Sequence, residues 1–186
     1  MKRAYVFLAD GFEEIEGLTV VDILRRAGVD TVTVSVSESK AITGAHGICV
    51  SADLLFEEIC GTDRAEADLL VLPGGMPGTL NLKAHAGLRE LLVRFDNGKK
   101  YIAAICAAPS ILSELGMLKG RQACAYPSFE EQLDCGKVLT KPVVTDGHIT
   151  TGRGMGAAIP FALRLTELLC GADRAEEIRK SIVYEV

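Results

Sequence analysis

The chain reads as an α/β protein with a doubly wound, mainly parallel sheet. Short apolar runs alternate with longer amphipathic segments along its 186 residues, the pattern left by successive βαβ units. Two of the runs, Leu69-Leu70-Val71-Leu72 and Tyr101-Ile102-Ala103-Ala104-Ile105, are apolar almost throughout, as expected of strands covered on both faces. Composition agrees: 48% hydrophobic and 24% charged residues are ordinary for a folded globular chain. A chain of this size buries roughly 70% of its unfolded surface without a disulfide or metal staple. A single domain over residues 1–186 is therefore expected.

In order, Ala4 to Ala9 reads as a buried strand. Glu14 to Ala27 follows as a helix with Leu18, Val21, Ile23 and Leu24 near helical spacing, closed by Gly28. Thr31 to Ser37 is a second strand. Ala41 to Val50, punctuated by Gly44 and Gly47, reads as a hairpin. Leu69 to Leu72 ends in Pro73-Gly74-Gly75, a central strand meeting a tight loop. Leu88 to Phe95 is helical. Tyr101 to Ile105 is another buried strand, and Ala108 to Leu118 is expected to continue directly as a helix with Pro109 in its first turn. Asp146-Gly147 joins Val143-Thr145 to His148-Thr151 as a hairpin, and helices follow at about Ala157 to Leu169 and Arg174 to Ser181.

Several function classes are disfavoured at once. A net charge of −5 lacks the basic face that phosphate neutralisation needs, so nucleic acid is not the expected ligand. No stretch approaches the 18 or so apolar residues that span a bilayer, and the apolar run after Met1-Lys2-Arg3 is too short for a signal peptide and ends at Asp10-Gly11. The six cysteines, Cys49, Cys60, Cys106, Cys124, Cys135 and Cys170, form no C-x-x-C pair or zinc-spaced cluster. Free thiols in a cytoplasmic setting are the expectation. Gly152-Arg153-Gly154-Met155-Gly156 imitates a dinucleotide fingerprint but comes too late in the chain, and no G-x-x-x-x-G-K-[ST] loop exists. No cofactor and no metal are expected. The histidines, His46, His85 and His148, lie far apart in sequence.

One cysteine stands apart by position. Cys106 lies where a buried strand ends and Ala107-Ala108-Pro109 opens a helix. Small neighbours permit the sharp turn of a nucleophile elbow, and α/β ligand sites form at the ends of central parallel strands. A thiol at a helix N-terminus faces unpaired N–H groups and the positive end of the dipole, so its pKa is expected to fall. Pro73-Gly74-Gly75 ends a neighbouring strand, and the N–H groups of Gly75 and Ala107 suit an oxyanion hole. Glu13, Glu14 and Glu16 follow the first strand at the same sheet edge. A carboxyl buried there has a raised pKa and donates a hydrogen bond to a thiolate or sulfinate, but the sequence does not choose among the three.

Asp10-Gly11-Phe12-Glu13-Glu14-Ile15-Glu16, Val21 to Gly28, Leu72 to Gly75, Ala103 to Pro109 and Thr151 to Gly156 together resemble the ThiJ/PfpI superfamily, in particular the branch of the parkinsonism-associated protein deglycase and its bacterial relatives. The resemblance runs along nearly the whole chain in order. It implies a flavodoxin-like three-layer sandwich, class I glutamine amidotransferase-like, and a homodimer. It maps the reactive cysteine to Cys106, the partner carboxyl to Glu16 and the oxyanion donors to Gly75 and Ala107, and it suggests Arg26, Arg153 and His46 as a dimer edge near the site. Two departures stand out. Peptidase and amidotransferase relatives pair a histidine with the nucleophile, whereas Ala107 follows Cys106, which argues against peptidase activity. Tyr126 occupies the segment from which the animal branch presents a histidine, so the general-base role falls to Glu16 or water; a phenol of pKa near 10 is a poor base, though its hydroxyl can donate a hydrogen bond.

Two functions follow as expectations. One is a cysteine enzyme of the glyoxalase or deglycase type, taking small reactive aldehydes such as methylglyoxal or their adducts in stress defence. The other is a redox sensor or stress chaperone acting through oxidation of Cys106. The thiazole-phosphate metabolism suggested by the superfamily's name finds no phosphate loop.

Overall fold

A computed structural model describes residues 1–59 and 66–185. Cys60, one of the six cysteines, lies outside the described residues.

The chain begins with β1 (Arg3–Leu8), α1 (Glu14–Arg26) and β2 (Asp30–Ser35). The hairpin β3 (Ala41–Thr43) and β4 (Cys49–Ser51) comes next, then the short edge strand β5 (Leu54–Leu55) and β6 (Leu69–Leu72). Two helices, α2 (Gly78–Ala84) and α3 (Ala86–Asn97), precede β7 (Tyr101–Ile105) and α4 (Pro109–Glu114). The remainder is β8 (Gln122–Ala123), β9 (Lys137–Val138), β10 (Val143–Asp146), β11 (Ile149–Gly152), α5 (Ala158–Cys170) and α6 (Ala172–Ser181).

The main sheet has the order β10-β11-β7-β6-β1-β2-β5, parallel except for the antiparallel β10–β11 pair. Its two faces are covered separately. Tyr5, Phe7, Leu70, Leu72, Ile102 and Ala104 pack with apolar residues of α2, α3 and α4, while Val6, Leu8, Val71, Ala103 and Ile105 pack with those of α1 and α5. This is the three-layer sandwich expected, and the two-faced covering explains why β1, β6 and β7 read as unbroken apolar runs.

One boundary and four short elements differ from the sequence reading for local reasons. The helix expected to run from Ala108 to Leu118 stops after Glu114. Gly116 adopts φ 75°, and the Gly116 and Met117 N–H groups bond back to the Ser113 and Leu112 carbonyls, a Schellman closure. The same closure ends α1, with Gly28 at φ 85° and bonds Gly28 N–H to Arg25 O and Val29 N–H to Leu24 O. The helix α2 was not expected, because Gly78-Thr79-Leu80-Asn81 has weak propensity and no apolar period. The two-residue β5, β8 and β9 are too short to carry a period.

Phe161 on α5 is fully buried beside Gly152 and Ile105, under the strand ends. Phe161→Ala is expected to lower unfolding stability by about 3–5 kcal/mol, measured by urea titration.

Candidate active site

Because β1, β6 and β7 are adjacent and parallel, their C-terminal ends deliver three loops to one edge of the sheet. The chain winds outward from β1 to β2 and β5, then returns to β6 on the other side of β1. This reversal is the topological switch point where open α/β sheets form binding crevices. Glu16 comes from the first turn of α1, Gly74 and Gly75 from the loop after β6, and Cys106 from the residue after β7.

Cys106 is held in the left-handed region at φ 64°, rare for a residue with a side chain. Its two backbone groups fix it there: the Cys106 N–H donates to Gly152 O at 2.9 Å, and Cys106 O accepts from the Tyr126 N–H at 2.9 Å. The thiol is thereby raised off the strand axis against the neighbouring loops. A Cβ on Gly74 would stand 2.6 Å from the Cys106 Cβ and 2.7 Å from Glu16 Oε2, so only glycine lets the three elements approach. Gly75 adopts φ 87°, and a Cβ there would come within 2.3 Å of the Glu13 nitrogen.

Glu16 is fully buried. Its Oε2 accepts the Gly74 N–H at 2.8 Å, while Oε1 has no hydrogen-bond partner among the described residues. The carboxyl faces the Cys106 thiol. Burial, opposed by the Gly74 N–H and the thiol and reinforced by the Glu13 charge, pushes the Glu16 pKa up to about 7.

The thiol does not follow the sequence expectation of a lowered pKa. Burial first, then the charge of Glu16 and their shared hydrogen bond, push Cys106 up to about 12, although the N–H groups of Gly75 and Ala107 pull the other way. The physical reason lies in the helix. α4 is six residues long and opens at Pro109, which has no N–H, so a weak dipole competes with desolvation and a like charge. The two acids share one negative charge over a wide pH range. The N–H groups of Gly75 and Ala107 both act on the sulfur.

The other residues singled out in the sequence scatter around this centre. Tyr126 meets Cys106 through its backbone; its side chain is half-exposed beside Gly154, and its hydroxyl has no partner among the described residues. Arg153 follows Gly152, whose carbonyl holds Cys106, and pairs with Glu130 at 3.2 Å. Arg26 is not brought to the site. It ends α1 ten residues after Glu16, about 15 Å along the axis at 1.5 Å per residue, and pairs with Asp22.

His46 sits at the tip of the β3–β4 hairpin. Its N–H donates to Glu14 Oε1 at 2.7 Å, and its Nδ1 lies 2.8 Å from Glu14 Oε2. The hydrogen bond and charge of Glu14 raise the His46 pKa; Glu14, which burial alone would raise, is brought below its usual value by His46 side-chain and backbone bonds. Glu13, Glu14 and His46 are the one group of three potential metal ligands among the described residues, with ligand atoms within 4.8 Å of one another. Glu14 and His46 are already engaged with each other, and Glu13 with the Glu16 N–H.

Glu13 is the residue whose part the sequence reading did not isolate. It is the N-cap of α1, its Oε2 accepting the Glu16 N–H at 2.7 Å. The available signal was its place three residues before Glu16 at a helix start.

Residues 2–168 match the DJ-1/PfpI family. The chain is 37% identical over 180 residues to protein DJ-1 homolog A of Arabidopsis thaliana, a match covering 95% of this chain and 45% of that one, so it spans less than half of that relative's length. It is 28% identical over 189 residues to a Schizosaccharomyces pombe protein named glutathione-independent glyoxalase DJ-1, covering 98% of each. Among solved structures, Toxoplasma gondii DJ-1 in an oxidized form superposes with a TM-score of 0.95 at 34% identity and covers 100% of both chains.

The raised pKa of Glu16 makes stability fall as pH rises. The folded state holds this proton between about 4.5 and 7 while the unfolded chain releases it, so the loss begins above the unfolded value and is complete above the folded one. Glu16→Gln is therefore expected to be more stable than wild type above pH 7, by at most about 3 kcal/mol, and to match it below pH 4.5. Denaturant titration at the two pH values checks this.

Proposed function

The chain belongs to the DJ-1/PfpI family, and from that membership we propose that it is a cysteine enzyme acting on reactive α-oxoaldehydes such as methylglyoxal, free or as adducts. The observation that carries this reading is a half-buried thiol facing a fully buried carboxyl whose pKa lies at about 7, with the N–H groups of Gly75 and Ala107 acting on the sulfur. The glyoxalase name of the Schizosaccharomyces pombe relative supports the same substrate class.

The steps follow from this arrangement. Ionised Glu16 takes the thiol proton as Cys106 Sγ bonds to the aldehyde carbon, and the Gly75 and Ala107 N–H groups steady the oxyanion. Glu16 then returns that proton to the oxyanion, takes the C–H proton of the same carbon to give an enediol, and delivers it to the neighbouring carbonyl carbon, while the hydroxyl proton of the first carbon passes to the ketone oxygen. The aldehyde carbon is oxidised and the ketone carbon reduced, so no outside oxidant enters. Water cleaves the resulting thioester, releasing lactate and the thiol. Ala107 in place of a histidine after the nucleophile speaks against peptidase chemistry, and Glu16 is the carboxyl that meets the thiol as base. The half-exposed apolar side chains of Ile15, Ile48 and Met155 support a homodimer. We place the protein in the cytoplasm on the strength of its free cysteines.

Oxidation of Cys106 is the second reading, favoured by donor N–H groups that suit sulfinate oxygens and by the unpartnered Glu16 Oε1. Its weakness is the thiol's high pKa, since oxidation follows thiolate character.

Wild type is expected to convert methylglyoxal to lactate, Cys106→Ser to lose turnover entirely, and Glu16→Gln to lose at least a hundredfold while still forming a mass adduct. Chromatographic assay of lactate and intact mass after mild peroxide separate the readings. A well-folded wild type without turnover overturns the enzyme assignment; equal peroxide uptake by wild type and Cys106→Ser overturns the oxidative one.

A further inference from the structure

Three hydrogen bonds close a ring around the base. Gly74 N–H donates to Glu16 Oε2 at 2.8 Å, Glu16 N–H donates to Glu13 Oε2 at 2.7 Å, and Glu13 N–H donates to Gly74 O at 2.9 Å. Glu13 thus touches both α1 and the loop that carries the Gly75 donor. Its side chain is about nine-tenths buried, and the Gly75 Cα packs directly over its nitrogen, where no Cβ would fit. An uncharged cap such as serine would satisfy the same helix N–H, so a buried acid here calls for a role that its charge performs.

Resting on the general-base reading of Glu16, we propose that Glu13 is a positioning residue for the reaction: it locks the base and the donor loop in one register and sets a fixed negative charge beside the base. That charge opposes ionisation of Glu16 and so helps hold its titration near neutrality, where it is a base at working pH and still an acid able to return the proton. The charged groups around the pair are few. Cys106 faces Glu16 from the end of β7; Glu14 on α1 and His46 on the hairpin lie next to Glu13. His46 is paired with Glu14, whose hydrogen bond and charge raise its pKa, so the test removes it separately.

The test reads thiol chemistry rather than turnover. The rate of Cys106 alkylation by iodoacetamide is followed across pH in the full chain by peptide mass, which separates it from the exposed Cys49 and Cys170. In wild type the rate rises with ionisation of Glu16. Glu13→Gln and Glu13→Ser are expected to shift the midpoint to lower pH by about half a unit or more, the effect of a unit charge a few ångströms away through partly solvated protein. Glu13→Asp restores the wild-type midpoint. The downward shift persists in a His46→Asn background. Unshifted midpoints in the folded members of the Gln and Ser pair, whatever their absolute rates, overturn the proposal and leave Glu13 a structural cap. A shift that vanishes with His46 overturns it by assigning the effect to the histidine. Glu16→Gln tests the underlying reading by itself: a wild-type profile there removes Glu16 as the base, and does so independently of any Glu13 variant.

Discussion

A carboxyl group kept out of water beside a thiol is the constraint around which this molecule is arranged. Glu16 is fully buried and receives one backbone N–H on Oε2 and none on Oε1. A buried carboxylate left half-satisfied is costly, and the cost is relieved by holding a proton or by finding a donor in the neighbouring sulfur. Each unusual local feature follows from bringing these two groups together. Cys106 must leave its strand in the left-handed region, Gly74 must lack a side chain, and α1 must start close enough to the β6 loop for Glu13 and Gly74 to exchange a hydrogen bond. A left-handed residue with a Cβ costs roughly 1–2 kcal/mol, and the surrounding structure keeps it there through the bonds from Gly152 and Tyr126.

The ionisation of the pair decides what chemistry comes naturally. Two acids in contact do not lose their protons independently; the first proton lost leaves a charge that both groups share and that opposes the second loss. With Glu16 at about 7 and Cys106 at about 12, the site near neutrality exchanges between a neutral acid and a carboxylate, each beside a protonated thiol. Such a pair suits a nucleophile activated at the moment of attack, with the proton passing to Glu16 as the new bond to sulfur forms. It is less suited to a sensor, which works through a standing population of thiolate.

Much of this was legible in the sequence, because strands buried on both faces advertise themselves as apolar runs and parallel strands share an edge. Leu69–Leu72 and Tyr101–Ile105 were read with their observed bounds, and the turn residues after them led to Gly75, Cys106 and Ala107. What escaped depends on quantities that residue types do not carry. The thiol pKa was misjudged because the expectation weighed a helix N-terminus without its length or its Pro109, and without the desolvation that only packing supplies. The position of Arg26, ten residues beyond Glu16 at the far end of α1, likewise follows from the helix and not from the motif it shares. Glu13, Glu14 and Glu16 look alike in sequence, yet one caps a helix, one pins a hairpin through His46, and one is buried against sulfur.

That division of labour among three nearly consecutive acids explains how the edge tolerates so much negative charge. Each carboxyl is answered by a different element: Glu13 by the α1 backbone, Glu14 by the hairpin, Glu16 by the β6 loop. Helix N-termini accept acidic groups readily, so the first two are stabilising or neutral where they stand. Glu16 lies in the same first turn, but its side chain meets desolvation and the thiol rather than the free N–H groups of the helix end. Its environment therefore favours the neutral acid, while the hairpin's bonds to Glu14 hold that carboxyl below its usual pKa. The largely buried β1, β6 and β7 strands beneath it supply the apolar burial that outweighs this local cost. Reactivity at this edge is thus a property of the sandwich as a whole: the same two-faced packing that stabilises the sheet excludes the water that would otherwise return Glu16 and Cys106 to ordinary ionisation.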